Sequence, residues 1–460
     1  MRPADRVRRL SQFKAMAGQK ASLPKAARGA AMTQWSNWSG SVKASPATIV
    51  RSRDEGELAA ALSRARKVRV VGAGHSFMPL CETDDLLVQL DQLEGDLIIA
   101  PDRRSVSAPA GWSLKRLTAA LWDEGLSLAN QGDIDSQSLA GALSTGTHGT
   151  GAALGSLSTL PRAFRIIKAD GDIALCSLLE RRDLFEAARL SLGALGVVTR
   201  IDISVEPAFH LEERLTATPY EAARDSFLDD AKQNRHIEFF VFPYGRHAIV
   251  KRLNPAADEG PLTRLNDMDE KGFKSLCNLC ATAPFLTPML QRGLVPARLK
   301  ARRVGPAHQI FPSERNVRFE EMEFALPPQN AFAALDAIIA MIRKKRWPVT
   351  FPFEVRIVAG DDIWLSPFNR GAAIAVSMHQ YAKMAWQEIF AEAEAVFRDH
   401  GGRPHWAKRH SLDAAAVAEL YPKSAAFNAV RTALDPQGKF LNAHLSALFA
   451  PELQAQRPAA

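Results

Sequence analysis

Four cysteines in 460 residues (Cys81, Cys176, Cys277 and Cys280) are too few for a disulfide framework, and they suit a reducing cytoplasm. Long apolar runs are missing too. No stretch approaches the roughly 18 apolar residues of a membrane span, and no apolar segment follows Arg8-Arg9 to make a secretory signal. The absence of GxGxxG spacing excludes the usual Rossmann opening. Cys277-x2-Cys280 has no second cysteine pair to complete a zinc site, and no histidines fall in HExxH spacing. The residues therefore point to no metal. The spacing within SLCNLC (275–280) reads instead as two core cysteines on one helix.

An acidic excess is also lacking: the net charge is +8. Residues 1–31 hold eight Lys or Arg against one acid, Asp5, while the rest of the chain holds 50 basic and 49 acidic residues. The basicity belongs to a tail, so no nucleic-acid-binding face is expected on the body. That Ala- and Lys-rich tail carries little ordering signal, and Met32, opening MTQWSNWSG, is an alternative start.

A chain of 460 residues, 47% hydrophobic, is expected to form two or three domains. From residue 47, ATIV and VRVVG read as strands around a helix at 54–65. Strands follow at 86–90 and 103–111, then an amphipathic helix at 113–125 with Gly125 at its end. Strands at 164–169 and 196–204 bracket a helix near 182–190. Phe-containing strands resume at 236–242 and 317–325. A helix at 330–345 stops before Trp347-Pro348, strands occupy 351–358 and 373–380, and a helix at 384–400 ends at Gly401-Gly402. Residues 255–315 read as loops and short helices, and no internal repeat stands out.

Several groupings carry chemistry. In VVGAGHS (70–76) the glycines permit a tight turn whose N–H groups can approach a phosphate, with His75 at the tip. Alone, such a histidine is as readily a plain hydrogen-bonding residue. STGTHGTG (144–151) reads as a second small-residue loop, with His148 an internal hydrogen-bond partner in the bland reading. Two such loops together suggest one long cofactor lying across both. FPFEVR sets Glu354 and Arg356 two apart on a strand, hence on one face, where they can pair and grip hydroxyl groups. RPHWAKRH adds Arg403, His405, Lys408, Arg409 and His410. Cations there can stabilise a developing alkoxide; structural ion pairing is equally open.

Eight blocks, NWSG (37–40), VVGAGHSF (70–77), AGALSTGTHGTG (140–151), LGALGVVTR (192–200), FEVR (353–356), DDIWLSPF (361–368), GGRPHWAK (401–408) and LDPQGKFLN (434–442), carry a family resemblance across about 35–442. The chain resembles the sugar-oxidising branch of the flavoproteins with the vanillyl-alcohol-oxidase fold. Nearest in pattern are the aldonolactone oxidases that act on arabinono- and gulono-lactones, with the alditol oxidases beside them.

The resemblance implies an α+β fold. An FAD-binding domain of two subdomains would occupy 32–205, split near 101. A substrate domain with a large antiparallel sheet flanked by helices would occupy 206–399, and 400–460 would return to the FAD side. It implies FAD held covalently through His75. The run Val71-Gly72-Ala73-Gly74-His75-Ser76-Phe77 would hold the pyrophosphate. Ser138, Gly141 and Ala142, then Ser144-Thr145-Gly146-Thr147-His148-Gly149, would continue along the cofactor. Gly193, Gly196 and Val198 would close over it, and His405 would join the cofactor side. Glu354 and Arg356 match the family's active-site pair, and Lys408 matches the lysine of its HWGK motif, with Ala407 replacing the usual glycine. Ser377 and His379, on the next strand, would add substrate contacts.

The implied reaction is hydride transfer from a hydroxyl-bearing carbon of an aldono-1,4-lactone to flavin N5, then reoxidation by O2 to give hydrogen peroxide. Arg356 and Lys408 would stabilise the oxygen losing its proton, and Glu354 would orient hydroxyls or act as base. Among related enzymes a small residue beside the flavin admits oxygen, and an alanine there accompanies dehydrogenase behaviour. Gly132 fills that position in LANQGDIDSQ, so the chain reads as an oxidase. An alditol substrate, or a lactone dehydrogenase with a non-oxygen acceptor, are the alternatives within the enzyme class. Outside it stand a basic binding module, whose salt-sensitive retention would survive deletion of 1–31, and a flavoprotein scaffold that no polyol or lactone bleaches.

Overall fold

A computed structural model describes residues 34–256, 270–313 and 315–452, and builds them on three larger β-sheets and two two-stranded ones. The basic tail and Met32 lie outside the described residues. The first larger sheet is parallel, with Leu86–Gln89 between Thr48–Val50 and Val68–Val71. Parallel strands need a crossover. The helix Glu55–Arg64 supplies it, started by Asp54, whose carboxylate accepts the Glu57 N–H, and burying Leu58 and Leu62 in the core beside the sheet.

The second sheet is antiparallel, in the order Ile173–Ser177, Pro161–Ile167, Val197–Ser204, Ser105–Pro109, Ile98–Ile99. Its core includes Leu117 and Leu121 of the helix Leu114–Asp123, and also Trp406, Tyr421, Phe427 and Phe449. The C-terminal stretch thus packs on the same body as residues 106–203.

The third sheet has eight antiparallel strands, running Lys300–Pro306, His210–Pro219, His247–Pro255, His236–Val241, Phe353–Val358, Ala373–Tyr381, Phe319–Leu326, Arg403–Pro404. Alternate residues of a strand face opposite ways. On one face Phe239, Met322, Phe324, Val355 and Val376 form a core with residues of the helices Tyr220–Gln233, Pro328–Lys345 and Gln387–Asp399. Their strand neighbours Glu238, Glu321, Glu323, Glu354, Arg356, Ser377 and His379 occupy the other face, and they are buried as well. An antiparallel sheet that needs only one covered face would leave that polar row in water. Here it is enclosed, which marks it as a site. The α+β class with a large antiparallel sheet is as expected.

Two sequence expectations are corrected. The region 255–315 holds more regular structure than loops: the helix Glu270–Thr282 carries buried Cys277 and Cys280, and Lys300–Pro306 is an edge strand paired with His210–Pro219. KARRVGP shows no apolar alternation because its outward residues face solvent at the sheet edge. The run 144–151 is also not one loop. Ser144 and Thr145 finish the helix Leu139–Thr145, which Ser138 caps and Gly146 ends at φ 77°. Among the described residues, no helix is long and apolar enough to cross a membrane.

Candidate active site

A cavity of about 470 Å³ runs between the two smaller large sheets' loops, lined by 70–76, Ser138, Gly141, Ser144, Thr145, Gly193, Gly196 and Val198. The strand Val68–Val71 leads into the turn that carries His75. That turn lies close to its neighbours: a Cβ on Gly72 would stand 2.1 Å from Ser138 Oγ, and Gly74 adopts φ +70° against the Trp35 ring. Ala142 is buried in the helix behind the wall, and Gly146 caps that helix.

Arg69, on the same strand, also lines the cavity. It is buried and donates to the carbonyls of Leu80 (2.6 Å), Leu192 (2.7 Å), Gly193 (3.1 Å) and Phe440. Among the described residues no carboxylate pairs with it. Burial alone pulls its pKa down to about 10. A buried guanidinium beside an elongated cavity is suited to an anion such as a pyrophosphate.

An inner pocket of about 80 Å³ adjoins, and His75 lines both spaces. Phe77, Gly132, Thr147, His148, Glu354, Arg356, His379, His405 and Lys408 line the inner pocket with it. Gly149 lies instead in a small cavity behind, with Thr150 and His236. Ser377 is buried, does not line the pocket and donates to Glu323. Of the 403–410 cluster, Arg403 binds Asn369 and Arg409 pairs with Glu320 at 2.8 Å, while His410 packs on Trp406. Those three serve structure, and His405, Ala407 and Lys408 reach the pocket.

The register of the large sheet assembles the charges. Cα partners run Glu238–Arg356, Glu354–Ser377, Ser377–Glu323 and His379–Glu321. Arg356 pairs with Glu323 and lies 3.2 Å from Ser377 Oγ, which donates to Glu323 at 2.5 Å. Its neighbour Glu354 is 3.4 Å from Arg356 Nε. Glu323 is thus the carboxylate that Arg356 hydrogen-bonds, while Glu354 acts on it through charge from 3.4 Å. Lys408 pairs with Glu321, which also lies 3.3 Å from His379 Nε2. Burial pushes the Glu321 carboxyl up, but Lys408 and His379 outweigh it and bring its pKa down to about 2. Burial, reinforced by Lys408, lowers the His75 pKa to about 4, so its ring is neutral at neutral pH.

Among the described residues, His75 Nδ1 and His379 Nδ1 are buried on the pocket wall with no hydrogen-bond partner, and Glu354 Oε1 and Arg356 Nε meet each other at 3.4 Å without a hydrogen bond. Buried polar groups are normally satisfied, so this clustering marks a place built for another molecule's hydroxyl groups. Glu321, Glu323 and Asp133 are site residues that motif reading missed. A signal existed in RFEEMEFAL, where Glu321 and Glu323 alternate with Met322 and Phe324.

Residues 201–448 match the family model for D-arabinono-1,4-lactone oxidase, and 46–177 match that of an FAD binding domain. An L-gulono-1,4-lactone dehydrogenase of Mycobacterium tuberculosis is 36% identical over 432 residues, 91% of this chain and 99% of the relative. An L-gulonolactone oxidase of Mus musculus is 30% identical over 434 residues, 90% and 98% of the two chains. Cholesterol oxidase from Brevibacterium sterolicum (a His121Ala mutant) superposes with a TM-score of 0.78, covering 94% of this chain and 100% of that one. At 16% identity that likeness speaks to the fold alone.

Proposed function

Because the chain belongs to the D-arabinono-1,4-lactone oxidase family of FAD-linked oxidoreductases, we propose that it oxidises a hydroxyl-bearing carbon of an aldono-1,4-lactone in the inner pocket, with O2 as final acceptor. The observation that carries this is the cluster of His75 Nδ1, His379 Nδ1, Glu354 Oε1 and Arg356 Nε, none of them hydrogen-bonded among the described residues, around a pocket that shares His75 with the long cavity. In this reading 32–205 and 400–460 form the FAD side and 206–399 the substrate side.

The residues present fit FAD. The turn 71–76 and the residues Ser138, Gly141, Ser144, Thr145, Gly193 and Val198 would hold it, Arg69 would offset phosphate charge, and the unpartnered Nδ1 marks His75 as free for covalent attachment. When bound, FAD supplies the hydride acceptor. The chain's own groups do the rest. Glu354 Oε1 accepts from the hydroxyl of the reacting carbon and takes its proton as the hydride leaves, His379 Nδ1 takes a second contact, and Arg356 and Lys408 face the oxygen that loses the proton. The walls of Trp38, Phe77 and Phe319 keep water from the reacting carbon.

The experiment is oxygen consumption and peroxide release with a panel of aldono-1,4-lactones and alditols. Fast turnover of lactones supports the reading, and turnover of alditols alone overturns the substrate class. The dehydrogenase reading is favoured by the name of the mycobacterial relative; it predicts lactone turnover with an artificial electron acceptor and little peroxide.

Gly132 bears on that choice. It lines the inner pocket with His75, and a Cβ there would stand 3.2 Å from the His148 carbonyl and 3.4 Å from Thr147 Cγ2. Gly132→Ala is therefore accommodated with a small shift and narrows the approach. It is expected to slow flavin reoxidation by O2 while leaving anaerobic reduction largely intact. Equal reoxidation rates in the two proteins would remove Gly132 as the gate. Attachment is tested by denaturation: the unfolded wild-type protein should stay yellow and fluoresce after acid treatment, and His75→Ala should release all its flavin. Wild-type protein that sheds its flavin on unfolding would contradict the linkage.

A further inference from the structure

His148 is buried at 3% exposure, and both of its ring nitrogens meet oxygen. Nδ1 lies 2.8 Å from the Gly149 carbonyl, and Nε2 lies 2.6 Å from Glu323 Oε1. A carbonyl oxygen only accepts, and so does an ionised carboxylate. A neutral imidazole has one N–H, so it cannot satisfy both. Turning the ring over does not help. It would place carbons at these short distances, well inside the roughly 3.3–3.6 Å of a C–H···O contact. The pair therefore holds one proton more than a neutral histidine and a carboxylate would.

The remaining partners decide where that proton sits. Glu323 Oε2 accepts from both Arg356 and Ser377. Two donors on one oxygen, one of them cationic, favour the ionised carboxylate, which leaves the proton on the ring. Burial pushes the Glu323 carboxyl up, but Arg356 and His148 outweigh it and hold it well below the ordinary range. The other groups facing the pair are His405, whose ring centroid is 5.8 Å away, and then Lys408 and Glu321. Burial brings His405 down to about 3, so it adds no charge at neutral pH, and Lys408 is matched by Glu321.

We propose that His148 is a standing imidazolium, a positioning residue that keeps Glu323 ionised and turned so that Arg356 is presented to the inner pocket. One strand thereby carries two parallel clamps. Glu321 binds Lys408 and His379, and Glu323 binds Arg356 and His148. The protonation state stands independently of the proposed reaction; its effect on turnover rests on that reading.

The test is 15N NMR of the holoenzyme with 15N-labelled histidine, from pH 6 to 9, compared with His148→Gln for assignment. Solvent-exposed imidazoles, with an ordinary pKa of about 6.5, lose their second proton well below pH 9. One ring with both nitrogens protonated should persist to pH 9, and it should be missing from His148→Gln. Glu323→Gln serves the same purpose if that variant does not fold, because His148 should then carry a bare nitrogen by pH 9. A wild-type His148 with a bare nitrogen at pH 7 overturns the proposal, since the proton would then sit on Glu323. Stoichiometric metal in the purified holoenzyme, held between His148 and Glu323, overturns it too. Kinetics test the positioning role separately. His148→Gln, with FAD content unchanged, should lower the limiting rate of anaerobic flavin reduction by about ten- to a hundred-fold, the scale of a misplaced supporting group. An unchanged rate would leave the charge standing and remove its role.

Discussion

Lys408→Met is expected to lower the limiting rate of anaerobic flavin reduction by about a hundred- to a thousand-fold, the usual cost of losing one well-placed donor to developing charge. The ammonium lines the inner pocket with His75, Glu354 and Arg356, and Glu321 fixes its position. It also stands 5.2 Å from the centre of the Phe77 ring. If it faces charge that appears only in the transition state, the loss falls on the limiting rate more than on apparent affinity. Flavin content should be unchanged, because Lys408 does not line the long cavity. Lys408→Arg should rescue little, since a planar fork does not replace a compact ammonium beside Glu321. Stopped-flow bleaching across a substrate series makes the measurement. A fully flavinylated Lys408→Met protein reducing at the wild-type limiting rate would place the lysine outside the reaction.

Arg356→Met is expected to damage both stability and turnover. Arg356 is 8% exposed, and its guanidinium stands among Glu323, Glu354 and Ser377. Removing it leaves buried Glu354 without its cation and Glu323 with His148 alone, and breaking a buried pair in this way typically costs about 3–5 kcal/mol. Denaturant unfolding of the holoenzyme should show a loss of that order. Arg356→Met combined with Glu354→Gln should recover part of it, because the second change removes the carboxylate left without a cation, Glu323 still being paired with His148. Turnover should recover in neither. Stability within about 0.5 kcal/mol of wild type in the single variant, the size of an ordinary surface substitution, would mean that Arg356 is not the cation of this cluster.

The sequence made some of this visible, and the reasons are local. The turn 70–76 is legible because Gly72 and Gly74 answer close contacts made by their own backbone with Ser138 and Trp35. Glu354 and Arg356 are legible because two-residue spacing on one strand fixes a shared face. Lys408 and His405 could be placed near the chemistry only through the family motif, since nothing in RPHWAKRH separates them from Arg403, Arg409 and His410, which turn elsewhere. Glu323 escaped for the opposite reason. Its partners His148 and Arg356 are 175 and 33 residues away; sheet pairing brings Arg356 to it, and a segment that lies on the sheet without being a strand brings His148. The edge strand Lys300–Pro306 escaped because charged outward residues hide its period. Long-range pairing, more than local propensity, decided what could not be read.

The most direct test of the central claim is an anaerobic titration of the holoenzyme with an aldono-1,4-lactone, followed by the absorbance of the bound flavin. The account predicts stoichiometric bleaching in the wild-type protein, much slower in Lys408→Met. A flavin that stays oxidised in excess of every aldono-1,4-lactone tried would contradict it.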